Sequence, residues 1–587
     1  MGNPKRIYHI LIFISIGLLI LIGRLAQIQL FDTLSFSRHQ INLVEESVEQ
    51  RVHSIAIDDG RGKLLDRYGE LIQEVHKPAV ILFPFLVREN TQLRKISNVL
   101  KVSAEQLERK LEDRSTPFVF KSNDISIAIV EEINEMQIPG AYGQMIVQDR
   151  QTDFAAHFIG AVRENPKLVL ERYPDRVEKG LLNKTTEIGI RGIQKAFDPF
   201  LVSEGESKLI YHVEQSGRPL FGLDVKYKAP SNPFYPIALN TTLDQEKQKI
   251  LEQAISDAQI QKGGAILLDV QTSDVLAMVS RPLFPGSNPL KEGTENQMLI
   301  PQTPGSVFKI VTAAAAIEQN LQLADRRFNC DQNVYQDDVA TRKLGSLSFE
   351  ESFYQSCNAT FAELLNELVQ KDETVLENLG EKLGITQYSG WNGSVFHLDP
   401  FQHFPGEKKN IFWGSNEEKR VPRAVSQTAI GQLNVRLSPI SVANMMAMIA
   451  RGGEKKQARA ALSVDYKNGA TLVEFEEQDI KGPELSRYTM NRLQSLLQGV
   501  VEHPKGTGHA SFANLPWAVA GKSGTAEKGD TAENNKWFAG YFPADHPKYA
   551  LVVVDLQAKS HQSKTNRSFA QIVQKLYEYD QQSLSND

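Results

Sequence analysis

Three short groups of residues in this 587-residue chain combine a nucleophile, a base and groups suited to an anion. The first is Ser306-Val307-Phe308-Lys309. A serine hydroxyl is a weak nucleophile that needs a base beside it, and a lysine serves once burial and neighbouring cations lower its pKa. Residues three apart share one helix face, so the spacing brings the lysine nitrogen within reach of the serine hydroxyl. The second group is Ser356-Cys357-Asn358, whose serine can relay a proton between the lysine and a leaving amine and whose asparagine can bind a substrate amide. The third is Lys522-Ser523-Gly524-Thr525. Here Lys522 supplies positive charge, the hydroxyls of Ser523 and Thr525 suit a substrate carboxylate, and Gly524 lets substrate backbone approach a strand edge. Each group alone is a weak signal, since the bland reading of S-x-x-K is a solvated helix face. Lys505-Gly506-Thr507-Gly508 imitates the third group and reads as a turn. Specificity comes from order and context together, and together they read as serine acyl transfer.

The elements that must position these residues follow from patterning. Thr303-Pro304-Gly305 forms a turn into an alanine-rich helical run, Ala313 to Ile317, whose N-terminal N–H groups face any developing oxyanion. Asp244 is an N-cap for a helix running to Ala258. Gly264 to Asp269 and Val275 to Ser280 are apolar runs joined by the polar Gln271-Thr272-Ser273-Asp274, a hairpin pattern. Trp517 to Ala520, Trp537 to Phe542 and Tyr549 to Leu556 are three further strands. Strands from both ends of one segment with helices between them give an α+β fold built on an antiparallel sheet. The turn-rich Pro230 to Pro236 divides the chain, with residues 240–580 as the catalytic domain and 31–235 as a separate domain of short strands and helices.

Before that domain, Lys5 and Arg6 precede an apolar stretch, Ile7 to Gly23, that carries no acid, lysine or arginine. Seventeen residues span about 25 Å as a helix, and extension to Leu30 covers a ~30 Å bilayer core with Arg24 snorkelling to the headgroups. No small-residue cleavage site follows, so residues 7–30 read as an uncleaved anchor. The positive flank keeps residues 1–6 in the cytoplasm and places the rest outside. A net charge of -6 leaves no basic excess for phosphates, which argues against nucleic acid as a partner. The 12 histidines form no H-x-x-x-H pair, and there is no C-x-x-C, so no metal and no cofactor is expected. Cys330 and Cys357 are too few for a disulfide framework and read as two free thiols.

With S-x-x-K, S-x-N and K-S-G-T in this order, the chain resembles the serine penicillin-recognising enzymes, and within them the class B penicillin-binding proteins. The resemblance covers nearly the whole chain. Arg61-Gly62 with Asp66-Arg67-Tyr68-Gly69 is similar to the family's R-G-x-(I/L)-x-D-R-x-G segment. Ala155 to Gly160 and Gly189 to Gln194 match its other N-terminal segments, and His157 among them reads as a packing residue. Ala429-Ile430-Gly431-Gln432 with Leu437-Ser438-Pro439 is similar to the segment before the last motif. Ser523 and Ser438 stand where threonine is commoner, and both keep a hydroxyl.

The resemblance implies an elongated non-catalytic pedestal, called a dimerisation domain in the family, before a transpeptidase domain whose central antiparallel sheet is flanked by helices. It also implies a D,D-transpeptidase. Ser306, Lys309 and Ser356 are then catalytic, and Asn358, Lys522, Ser523, Gly524 and Thr525 bind substrate. The implied ligands are peptidoglycan stem peptides ending in D-Ala-D-Ala and β-lactam antibiotics, and the implied partner is a polymerising glycosyltransferase of the cell-wall machinery. The same motifs serve a D,D-carboxypeptidase, with water as acceptor. A β-lactam sensor would call for a larger membrane or cytoplasmic portion, and an inactive scaffold would be expected to lose motif residues. The deacylating E-x-x-L-N of β-lactamases is missing, since Glu373-Thr374-Val375-Leu376 is followed by Glu377.

Overall fold

A computed structural model describes residues 4–31, 52–112, 114, 116–121, 125–150, 153–203, 205–212, 226–228, 232–285, 293–334, 342–527, 533–559 and 564–586. Met1 to Asn3 of the expected tail, residues 32–51 and 213–225 of the expected pedestal, and Pro230 and Ser231 of the expected linker lie outside these.

The apolar N-terminus is helical over Pro4–Ala26. Tyr8–Gln29, with mean hydropathy 2.3, is long and apolar enough to cross a membrane. The chain divides into two compact units. The first comprises Met1–Gly60, Val75–Asp149 and Gly205–Ser231. In it Glu74–Leu82 pairs antiparallel with Phe118–Phe120, and Val52–Asp58 pairs antiparallel with Ser207–His212. Val80, Leu82, Leu93, Ile96 and Leu107 form its principal core.

The second unit comprises Arg61–Glu74, Arg150–Glu204 and Asn232–Asp587. Its centre is an antiparallel five-stranded sheet in the order Val275–Arg281, Gly263–Asp269, Tyr549–Ala558, Asn534–Phe542, Ala520–Glu527. Both faces are covered, so the strands read as unbroken apolar runs rather than as an alternation. Alternate residues go to opposite faces. Ala265, Leu267, Leu551 and Val553 join a cluster with Leu251, Phe569 and Ile572, from the helices Gln245–Asp257 and Lys564–Asn586. Ile266, Leu268, Val552 and Val554 join a second cluster with Met445 of the helix Pro439–Arg451 and Ala313 of the helix Lys309–Glu318. Asp244 caps the first of these helices by accepting from the Lys247 backbone N–H at 3.1 Å.

The hairpin of Gly263–Asp269 and Val275–Arg281 forms as its polar turn suggests. Trp517 to Val519, expected as strand, precede it, because the fifth strand begins only at Ala520. The segments that resemble family signatures near the start of this unit meet on one buried carboxylate. Asp198 accepts from the Arg61 guanidinium at 2.9 Å, the Tyr173 hydroxyl at 2.7 Å and the Gly189 backbone N–H at 2.6 Å, and Arg61 also donates to Gln194 Oε1 at 2.7 and 2.9 Å and to Glu187 O at 3.1 Å. His157 is held by Gly293 O at 2.9 Å against Phe284, and burial lowers its pKa to about 4, so it is a neutral packing residue at physiological pH.

Candidate active site

Ser306 lies in a single 3-10 turn, Gly305–Phe308, that runs directly into the helix Lys309–Glu318. Four successive alanines, Ala313 to Ala316, are fully buried, which lets this helix pass through the middle of the unit and carries Lys309 into the interior with no exposed surface. Glycines bring the serine turn against its neighbours. Gly305 has φ +55, a left-handed conformation that favours glycine, and a Cβ there would overlap the Thr525 carbonyl. Its N–H donates to Gly431 O at 3.0 Å, Trp537 Nε1 donates to Thr303 O at 3.0 Å, and Thr312 Oγ1 donates to Ala429 O at 2.9 Å. The Ala429 to Gln432 segment is therefore the brace of the serine turn.

Gly524 differs from the expectation that it clears room for substrate. A Cβ there would stand 2.5 Å from Pro304 O, 2.9 Å from Val307 Cγ2 and 3.2 Å from Val307 N. It lets the strand lie directly on the turn that carries the nucleophile.

The buried Lys309 nitrogen donates to Asn358 Oδ1 at 2.6 Å, Ser356 O at 2.9 Å and Ser356 Oγ at 3.1 Å. The spacing argument expects Lys309 to reach Ser306, yet no hydrogen bond joins them; the lysine is turned to the S-x-N group. Ser356 has φ +57, held by a turn in which Ser356 N–H donates to Phe353 O at 3.2 Å and Cys357 N–H to Ser352 O at 2.8 Å. The helix before it, Phe349–Tyr354, is fixed by a capping box of Ser348 and Glu351, and Asn358 opens the next helix, Asn358–Lys371. The free-thiol expectation is wrong: Cys330 and Cys357 form a disulfide, with Cα atoms 5.7 Å apart. The middle residue of S-x-N is thereby tied to the chain next to the short strand Phe328–Asn329.

Lys522, on the edge strand Ala520–Glu527, is fully buried, with its nitrogen 3.2 Å from Ser523 O and over the Phe353 ring. Burial, then the positive charge of Arg342, lowers its pKa to about 7. Burial, then Lys522 and Arg342, drives Lys309 well below the ordinary lysine value, toward the neutral amine a base requires. The alternation of the strand leaves Thr525 exposed and Ser523 half-buried on the cleft side. Ser523 Oγ donates to Thr507 Oγ1 at 2.9 Å. Lys505-Gly506-Thr507-Gly508 is thus a turn, as read, but its threonine belongs to the site while Lys505 is exposed.

One cavity of about 390 Å³ gathers Ser306, Ser356, Asn358, Ser523, Gly524 and Thr525, with Lys309 and Lys522 buried behind them. Ile430 also lines it, and so do four polar or charged residues, Arg342, Gln432, Thr507 and Glu527. Sequence reasoning passed over these four as site residues. Gln432 carried a signal, since it ends a segment quoted for its resemblance; Arg342 and Glu527 carried none. Glu373 and Glu377 pair instead with Arg420 and Lys419. The arrangement offers a cleft-facing hydroxyl, a buried lysine of lowered basicity joined to a second hydroxyl, and a cationic wall open at a strand edge. Those are the parts needed to open an amide and hold an acyl group on serine.

Residues 263–578, more than half of the chain, match the family described as "Penicillin binding protein transpeptidase domain", and residues 56–258 match "Penicillin-binding Protein dimerisation domain". Stage V sporulation protein D of Bacillus subtilis is 24% identical, over 94% of this chain and 81% of its own length. The peptidoglycan D,D-transpeptidase MrdA of Haemophilus influenzae is 22% identical, over 92% and 87%. Among solved structures, one described as "Structural coordination of polymerization and crosslinking by a peptidoglycan synthase complex" contains a chain that superposes with a TM-score of 0.65 at 21% identity, over 97% of this chain and 98% of that one.

Proposed function

The chain belongs to the penicillin-binding protein transpeptidases, and from that premise we propose that it cross-links peptidoglycan stem peptides through an acyl-enzyme on Ser306. The observation that carries this reading is the Lys309 nitrogen bonded to both Ser356 and Asn358 behind the cavity that Ser306 faces. A neutral amine has two hydrogens and one lone pair. Ser356 O and Asn358 Oδ1 take the hydrogens, and the Ser356 hydroxyl can then donate to the lone pair. Ser306 Oγ attacks the carbonyl of the penultimate D-alanine, and its proton passes to the Lys309–Ser356 pair. The oxyanion rests on the backbone N–H groups of Ser306 and Thr525, which belong to segments in close contact. The Ser356 hydroxyl returns the proton to the leaving D-alanine amine as the C–N bond breaks. An acceptor amine then attacks the ester, forming the cross-link and freeing Ser306.

Asn358 aligns the substrate amide, while Lys522, Ser523 and Thr525 receive the carboxylate. A β-lactam enters the same path, but its amine stays tethered after ring opening, so the ester persists. Residues 7–30 anchor the chain with residues 1–6 in the cytoplasm, residues 31–235 are a non-catalytic pedestal, and residues 240–580 act outside the membrane. A polymerising glycosyltransferase is the partner that would supply glycan strands, in keeping with the polymerisation and crosslinking named for the similar solved complex.

The test is covalent labelling of the purified chain by a fluorescent penicillin. Ser306→Ala abolishes the label with the fold intact, and Lys309→Ala reduces it nearly as far. The double variant is little worse than either, because residues acting as one unit are not additive. Undiminished labelling of Ser306→Ala overturns the mechanism. A D-Ala-D-Ala donor, assayed with and without an acceptor amine, separates transpeptidation from carboxypeptidation.

A further inference from the structure

The cavity wall holds a cation that none of the three motifs includes. Arg342 is exposed and lines the same cavity as Ser306 and Asn358. One of its terminal nitrogens donates to Gln355 O at 3.1 Å, immediately before Ser356. That bond uses one of five N–H donors, and no carboxylate among the described residues pairs with it. Its position is nonetheless fixed. It lies three residues before Gly345, whose O accepts from Cys330 N–H at 2.9 Å and whose N–H donates to Asp331 Oδ1 at 2.8 Å. The disulfide then ties Cys330 to Cys357 beside Ser356. The segment that follows Arg342 is therefore tethered, through Cys330, to the S-x-N turn.

A guanidinium held by one carbonyl keeps donors free for an anion, and its positive charge is felt by both Lys309 and Lys522 at the back of the cavity. Its planar fork matches a carboxylate in a way an ammonium does not. Resting on the transpeptidase reading above, we propose that Arg342 is a specificity-determining residue that binds a carboxylate of the donor peptide from the wall formed by the S-x-N turn. Ser523 and Thr525 present their hydroxyls from the other wall, the edge strand. Two carboxylates could supply this chemistry: the C-terminal one, or a side-chain carboxylate of a residue preceding D-Ala-D-Ala.

The experiment uses the full chain in detergent and two matched pairs of probes. One pair is a D-Ala-D-Ala peptide with a free side-chain carboxylate and the same peptide amidated there. The other is benzylpenicillin and its methyl ester. Arg342→Ala is expected to lower kcat/KM, or the second-order acylation rate, by ~10- to 100-fold on the charged member of one pair, mainly through KM. The neutral member should change less than ~3-fold, and Arg342→Lys should recover part of the loss. The pair that responds identifies the carboxylate. Equal losses on charged and neutral members, no loss on any probe, or a change confined to the pH profile overturns the proposal. If the unsubstituted protein is not acylated by any of the four probes, the transpeptidase reading itself has failed.

Discussion

Gly524→Ala isolates the contact between the third motif and the nucleophile. The added Cβ would sit 2.5 Å from Pro304 O and 2.9 Å from Val307 Cγ2, so strand and turn must part by about 1 Å to reach ordinary van der Waals contact. Neither neighbour is the far end of a flexible side chain, and the turn is held from behind by Gly431 O and Trp537 Nε1. Overpacking of this kind costs roughly 1–3 kcal/mol. In a unit this large, with an unfolding entropy of about 2 cal/mol/K per residue, that lowers Tm by only roughly 1 to 4 °C. The chemical effect is larger, because a ~1 Å misplacement of a reacting group costs on the order of 100-fold. Stopped-flow acylation by a fluorescent penicillin, with thermal unfolding of the same sample, reads both. If Gly524 merely cleared space for substrate, Tm would be unchanged and only affinity would suffer. Acylation within ~3-fold of the unsubstituted rate, or a lost rate with Tm untouched, refutes the reasoning.

Four other outcomes follow from the same geometry. Acylation should be bell-shaped in pH, rising as Lys309 loses its proton well below the ordinary lysine range and falling through about 7 as Lys522 loses its own; Lys522→Arg should carry the falling limb to higher pH in a pH–rate profile. The sign for stability is opposite to that of a paired lysine: the folded pKa of Lys522 is depressed, so the unfolded chain binds more protons above pH ~7 and stability gains with pH from there to the ordinary lysine range. Lys522→Ala should slow labelling by ~100-fold or more, whereas Lys505→Ala, on the exposed turn, should leave it within ~2-fold, and equal effects would mean the wrong motif was chosen. Cys330→Ser should lower stability by about 3 kcal/mol, the scale of releasing a loop between residues 27 apart, and a denaturant titration in which Cys330→Ser matches the unsubstituted protein would show that the bridge does not form.

What the sequence made legible was local. The apolar strands, the Asp244 cap and the helix after Ser306 each arise from a pattern within about a dozen residues, and each is present. The three motifs were legible as types, and the fold brings all three to one cavity. What was missed depends on contacts across long separations. Thr507 reaches Ser523 only because the turn after the helix Arg487–Glu502 meets the edge strand. The Cys330–Cys357 pairing carries no local signature, and a count of two cysteines pointed the other way. The reach of Lys309 was misjudged because spacing fixes which face a side chain leaves from, not which of several acceptors it meets once buried. Gly524 was misread for a related reason: glycine announces a close approach without saying what approaches.

The order of the central sheet also governs when this site can exist. Gly263–Asp269 pairs on one side with its hairpin partner and on the other with Tyr549–Ala558, and the strand that carries Lys522 enters only through Asn534–Phe542. During synthesis Ser306 and Ser356 therefore emerge long before the strands that complete their surroundings. Pairing across about 290 residues, Gly263 with Asp555, makes for a high contact order and slow assembly. Until residues 520–558 arrive, the apolar helix Pro439–Arg451 lacks the strands Asn534–Phe542 and Tyr549–Ala558 that cover it, a species prone to aggregation. A nascent chain halted before residue 520 should thus expose the serine motif yet take up no penicillin.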